Sequence, residues 1–201
     1  MPVNSLVKSL CDGRVIPAAR TIEDFKFALD NANASGIILL FGDIFTLPDI
    51  LKQVQQAKKQ IIIHLDLISG IAKDKAGIKY LACMGVKAVI TTKSHLGKIA
   101  HQEGMTVIQR LFLMDSEALR TGINMMTNFK PDAIEVLPGL VPAGAVDKLS
   151  RATGLPILSG GLICNAEDVT RALESGICAV STSERTLWNQ FTSKGCLAKH
   201  K

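Results

Sequence analysis

The sequence predicts an α/β protein folded as a single (β/α)8 barrel of the TIM type, and three observations carry that prediction. Short β-branched runs alternate with segments of helical periodicity along nearly the whole chain, the pattern of a parallel sheet covered by helices. About eight strand candidates can be counted, more than an open doubly wound sheet usually carries. The loop after the first strand reads PAARTIEDF and lacks the glycines of a dinucleotide-binding fold. At 201 residues the chain is small for such a barrel but long enough to bury one sizeable core.

Taken in order, the expected strands are Arg14 to Ala18, Gly36 to Phe41, Gln60 to Leu65, Lys87 to Thr91, Met105 to Arg110, Asp132 to Leu137, Pro156 to Ser159 and Ile177 to Ser181. Amphipathic helices are expected between them at Ile22 to Asn31, Pro48 to Ala57, Gly70 to Cys83, His95 to Glu103, Ser116 to Asn128, Pro142 to Thr153 and Ala166 to Ser175. Asp115 and Asn165 suit helix N-caps, Pro48 and Pro142 suit first turns, and Gly85, Gly104, Gly154 and Gly176 follow helix ends. The barrel is expected to occupy residues 1–191. The polar, basic tail, residues 192–201, is expected to fray.

Composition narrows the function classes. With 47% hydrophobic and 20% charged residues the chain is an ordinary globular protein. No apolar run approaches the ~20 residues that span a bilayer, and the N-terminus MPVNSLVKSLCDGR lacks the character of a signal peptide, so no membrane partner and a cytoplasmic location are expected. The cysteines, Cys11, Cys83, Cys164, Cys178 and Cys196, are widely spaced and form no C-x-x-C pair, so they are expected to be reduced and structural. A net charge of +5 favours a polyanionic partner. Aromatics are only 4% of the chain, with one Trp and one Tyr. Any nucleic acid must therefore be held mainly by charge and shape.

Barrel proteins gather their functional groups where strands end. His64 and Asp66 close the third strand candidate on one face by the two-residue period, and Glu135 lies near the end of the sixth. Arg20, Thr91, Gln109 and Arg110 complete a ring of polar strand ends suited to a polyol or a phosphate. Each has a bland alternative: the imidazole bonds a backbone carbonyl, and the carboxylates meet Arg20 or Arg110 in structural salt bridges instead of a ligand or a divalent cation. A sharper signal is Ser159-Gly160-Gly161 after strand seven with Ser181-Thr182-Ser183 after strand eight. Glycines let a backbone approach an anion, and these two loops are the ones barrels most often use for phosphate. Gly160, Gly161, Thr182 and Ser183 are therefore the expected phosphate site. No activated nucleophile, Schiff-base lysine deep in the mouth or tight metal-ligand cluster is visible, so the site is better equipped to hold a ligand than to transform one.

Several strings resemble one bacterial family, the glycerol uptake operon antiterminator regulatory proteins. They are VIPAAR from Val15, HLDLISG from His64, Ile90-Thr91-Thr92, IQRLFLMDS from Ile108, IEVLPG from Ile134, LSGGLI from Leu158 and Val180-Ser181-Thr182-Ser183. They run in order along nearly the whole chain. The resemblance implies a barrel that responds to glycerol 3-phosphate by binding leader messenger RNA and preventing early termination upstream of glycerol-utilisation genes, with the Gly-Gly and Thr-Ser stretches as its phosphate site and no required cofactor. Lysines that could contact RNA phosphates are Lys73, Lys75 and Lys79, expected on one helix, with Lys93, Lys98, Lys58, Lys59 and the Lys194 to Lys201 tail. A lysine cluster is equally a solvated surface. Two other readings compete. One is a barrel enzyme acting on a small phosphorylated polyol, with Asp66 or Glu135 as base and His64 as acid. The other is a metabolic sensor working through a protein partner.

Overall fold

The computed structural model describes residues 4–191. Eight parallel strands close in sequence order into a barrel: β1 (Val15–Ala19), β2 (Gly36–Leu39), β3 (Gln60–His64), β4 (Ala88–Thr91), β5 (Thr106–Phe112), β6 (Ala133–Leu137), β7 (Ile157–Gly160) and β8 (Ala179–Thr182). Helices follow the first seven strands: α2 (Ile22–Asn31), α3 (Leu47–Gln56), α4 (Lys75–Cys83), α5 (Ser94–Gln102), α6 (Ser116–Asn128), α7 (Ala143–Thr153) and α8 (Ala166–Glu174). The expected barrel is present. Asp115 and Asn165 cap α6 and α8 by accepting from the amides of Ala118 and Asp168, each satisfying a donor that the first helical turn cannot pair internally.

The strands are buried on both faces, and their apolar side chains divide by alternation. One set, including Val15, Ile37, Ile63, Val89, Val107, Ile134, Ile157 and Val180, meets the helices. The other, including Ile16, Ile38, Ile62, Ile90, Ile108 and Leu158, fills the barrel. Leu6, Val7 and Leu10 join this inner set. They belong to α1 (Ser5–Gly13), a helix before β1 that the sequence reading did not anticipate. It covers the N-terminal end of the barrel and is tied there by Asn4 Nδ2, which donates to Thr106 Oγ1 and Asp132 Oδ1 at 3.0 and 3.2 Å.

Two further departures have local causes. The helix expected from Gly70 begins only at Lys75, because Leu65–Leu67 form a 3-10 turn and Asp74 is the N-cap, accepting from the Gly77 amide. Lys73 therefore lies off that helix. After β8 there is a 3-10 turn, Arg185–Leu187, so among the described residues the eighth α-helix is α1, which precedes β1 instead of following β8. Trp188 closes this end: it is buried, its Nε1 donates to the Thr182 carbonyl at 2.9 Å, and its ring leans on Phe27. The expected tail, 192–201, lies outside the described residues. No helix among the described residues is long and apolar enough to cross a membrane.

Candidate functional site

Glu135 organises the C-terminal mouth. It is fully buried in the interior, and Arg110, its register partner on β5, donates Nε to Oε2 at 2.6 Å. Ser181, at the same level on β8, donates Oγ to Oε1 at 2.6 Å. A carboxylate without water needs such donors. This bond also explains Gly160, which pairs with Ser181 across β7 and β8. A Cβ at Gly160 would collide with Ser181 Oγ and come within 3.1 Å of Glu135 Oε1. Gly160 thus makes room for the Ser181–Glu135 bond and is itself buried. Ser181 is the partner that a search of strand ends for charged groups passes over; its two-residue offset from Ala179, which points into the barrel, was the available signal.

Beside this interlock lies an open cavity of about 390 Å³, a size suited to a small ligand. Arg20, Arg110, Gly161, Thr182 and Ser183 line it, with Leu40 and Leu137 as apolar wall. Ser183 Oγ donates to the Ala18 carbonyl at 2.7 Å and accepts from Arg20 Nε at 3.1 Å, which draws the guanidinium over the end of β8. Gly161 has φ +80°, a left-handed conformation that a side chain would strain. Thr182 Oγ1 donates to the Ile163 carbonyl and accepts from the Glu184 amide, lacing the β7 and β8 loops together. Arg20, Arg110, Gly161, Thr182 and Ser183 are therefore brought together around one cavity.

The β3–β4 side is different. β3 ends at His64, and the 3-10 turn brings Asp66 back so that Oδ2 is 3.8 Å from His64 Nδ1. Both Asp66 oxygens are engaged: Oδ1 by the Thr91 hydroxyl at 3.0 Å, Oδ2 by the Thr92 amide at 2.8 Å and hydroxyl at 3.0 Å. Partial burial pushes this carboxyl up, but those three donors together hold it below its ordinary range. His64 is buried, which lowers its pKa to about 4, and the Arg110 guanidinium adds to the effect while Asp66 opposes it. It is a neutral imidazole whose Nδ1 has no hydrogen-bond partner. Gln109 does not reach the mouth: it is fully buried behind β5, its Nε2 donates to the Thr91 carbonyl at 3.0 Å, and its Oε1 faces Gly97 of α5. Thr91 is likewise buried and turned to Asp66. Among the described residues no three His, Cys, Asp or Glu side chains are grouped to hold a metal ion.

The chain matches the family described as glycerol-3-phosphate responsive antiterminator over residues 15–188. It is 31% identical over 184 residues to the uncharacterized protein YgcP of Escherichia coli, spanning 91% of this chain and 95% of that protein. Among solved structures it is similar to the glycerol uptake operon antiterminator regulatory protein of Listeria monocytogenes, with 32% identity, a TM-score of 0.80 and coverage of 87% of this chain and 94% of the other. An antiterminator-related protein of Thermotoga maritima is 26% identical, with a TM-score of 0.77 and coverage of 87% and 96%.

Proposed function

The chain belongs to the family of glycerol-3-phosphate responsive antiterminators, and on that premise we propose that it binds glycerol 3-phosphate in the 390 Å³ cavity and then grips leader messenger RNA of glycerol-utilisation genes. The observation that carries the ligand reading is the convergence of two guanidinium groups, Arg20 and Arg110, with Gly161 and Ser183 at the ends of β1, β5, β7 and β8. Phosphate sits against Arg20, Ser183 and the Gly161–Leu162 backbone, where a bidentate charged donor and close backbone approach are available. The hydroxyl end points toward Arg110 and the His64 side of the mouth. There Arg110 meets the hydroxyls, with the neutral imidazole of His64, Asp66 and Glu135 forming the polar wall behind it. The protein acts as a regulator in the cytoplasm, where transcripts are made, rather than as an enzyme.

Glycerol 3-phosphate should raise the melting temperature well above the effect of glycerol or inorganic phosphate alone. A ligand at a hundred times its Kd stabilises by about 2.7 kcal/mol. Arg20→Ala should abolish most of that shift with little change in the unliganded melting temperature, because its guanidinium lies at the exposed rim. Equal shifts with glycerol and glycerol 3-phosphate would remove the phosphate site. For the RNA step, a gel-shift titration of leader transcript with and without metabolite should show tighter binding with it, by ~5- to 150-fold for coupled sites. Identical affinity in both would refute ligand gating.

A further inference from the structure

The positive charge of this protein is concentrated. From Ile50 to Gln102 there are nine lysines and no arginine against two acids, Asp66 and Asp74, a net of +7, whereas the other 14 basic and 16 acidic residues give −2. That stretch covers most of α3 and all of β3, α4, β4 and α5, one continuous sector of the barrel wall. Among the described residues none of these lysines is ion-paired. Two are held internally: Lys59 Nζ donates to the carbonyls of Ala32 and Ala34, and Lys73 Nζ to those of Leu65 and Ile68. The other seven are exposed to solvent.

Within this sector lies a cleft of about 710 Å³ between α3 and α4, at the N-terminal ends of β3 and β4. Its floor is apolar, with Leu51, Val54, Ile61 and Met84, and the half-exposed Tyr80 ring stands at its side. Exposed Lys52 and Lys87 flank it, and no acid lines it. The turn beside it holds Lys58 at φ +55°. α3 ends there with the Lys58 amide on the Gln55 carbonyl and the Lys59 amide on that of Val54. α4, α5 and α8 end on the same pair of backbone bonds, and at the equivalent position they carry Gly85, Gly104 and Gly176, all with positive φ. Glycine enters this conformation more cheaply than a residue with a Cβ. Of these four ends only that of α3, beside the cleft, keeps a side chain in this conformation, and it is a lysine.

We propose that this cleft is the RNA-binding face, taking a single-stranded segment with bases on the apolar floor against Tyr80 and phosphates on Lys52, Lys58 and Lys87. Charge grips the backbone and an aromatic ring stacks a base, the two elements of single-strand binding. A second copy of the chain is a poor occupant, since a two-fold interface here would set this lysine sector against itself. The cleft opens at the opposite end of the strands from the cavity of Arg20 and Ser183. Metabolite and RNA can therefore be bound together. The inference rests on the leader-RNA reading and assigns its location.

The test uses the full chain and a fluorescein-labelled single-stranded 20-mer RNA of mixed sequence, titrated at several salt concentrations. Lys52→Glu with Lys87→Glu should weaken binding by roughly tenfold or more and flatten the salt slope by about 1.4, two phosphate contacts on a single strand. Tyr80→Ala should weaken it ~5- to 150-fold through lost stacking. Lys58→Gly should weaken RNA binding while raising the melting temperature, a pairing that a merely structural residue does not give. Lys8→Glu with Lys148→Glu, exposed on α1 and α7, should leave binding near wild type. Every variant should keep the glycerol 3-phosphate thermal shift. Wild-type affinity in the Lys52/Lys87 variant overturns the location while the RNA reading stands; if the wild type with glycerol 3-phosphate retains leader transcript but not this RNA, the single-strand cleft falls and the RNA reading stands, and if it retains neither, both fall. A dimer of the wild type in sedimentation that the Lys52/Lys87 variant dissolves would give the cleft to a second copy and overturn the proposal.

Discussion

On the β1–β7–β8 side of the mouth Arg20, Gly161 and Ser183 border an open cavity, whereas on the β3–β4 side Asp66, Thr91 and Thr92 turn their hydrogen bonds on one another. Both sides end their strands in polar residues, and from sequence they look alike. The difference lies in satisfaction. A carboxylate that already accepts three bonds has little left for a ligand, while a guanidinium held by one hydroxyl at an open rim keeps most of its donors. Glu135 stands between the two, linking β5, β6 and β8 through Arg110 and Ser181.

The comparison can be broken most sharply at that link. Arg110→Met removes the charge partner of a fully buried carboxylate, and breaking such a pair costs about 3–5 kcal/mol. Urea denaturation should show this loss, and the glycerol 3-phosphate thermal shift should fall with it. A cost near that of a surface ion pair, under about 1 kcal/mol, would mean that the Glu135 interlock does not hold the two sides together.

His64 provides a pH test of the β3–β4 side. Its pKa falls from 6.5 to about 4 on folding, chiefly through burial and then through Arg110. Below pH 6.5 the unfolded chain binds a proton here that the folded chain refuses, so stability is full above 6.5 and declines as pH falls through the window down to about 4. The loss should approach about 3 kcal/mol at the lower limit. His64→Gln should flatten this part of the pH–stability curve. An unchanged curve would assign the acid sensitivity to other groups.

The smallest expected effect sharpens the contrast itself. Asp66→Asn replaces an acceptor of three hydrogen bonds and should cost roughly 1–3 kcal/mol of stability. Calorimetric affinity for glycerol 3-phosphate should change little. The reverse outcome, weak binding at normal stability, would make Asp66 a ligand contact and erase the distinction between the two sides.

Much of this was legible beforehand. Strand and helix periods, the caps at Asp115 and Asn165, and the glycines after helices all lay in local patterns, and α6 (Ser116–Asn128) emerges with the expected limits. Side-chain direction on the strands was harder to read. A barrel strand is buried on both faces, so apolarity does not distinguish inward from outward. Gln109 and Thr91 were thus placed in a mouth they do not face. α1 was missed because three apolar residues in a nine-residue helix are a weak signal, and what stabilises it is the open end of a barrel assembled from residues far along the chain.

By itself the sequence determined the order of the strands, the barrel and the family, because each of these is carried by residues close together in the chain. Only the tertiary structure decided which polar strand ends stay open and which close on each other. It also showed that Arg110 and Ser181 meet on Glu135, and that lysines from α3, the turn after it and the approach to β4 surround one cleft. Those outcomes depend on which strands become neighbours when the sheet closes, and closure sets residues tens of positions apart within hydrogen-bonding distance.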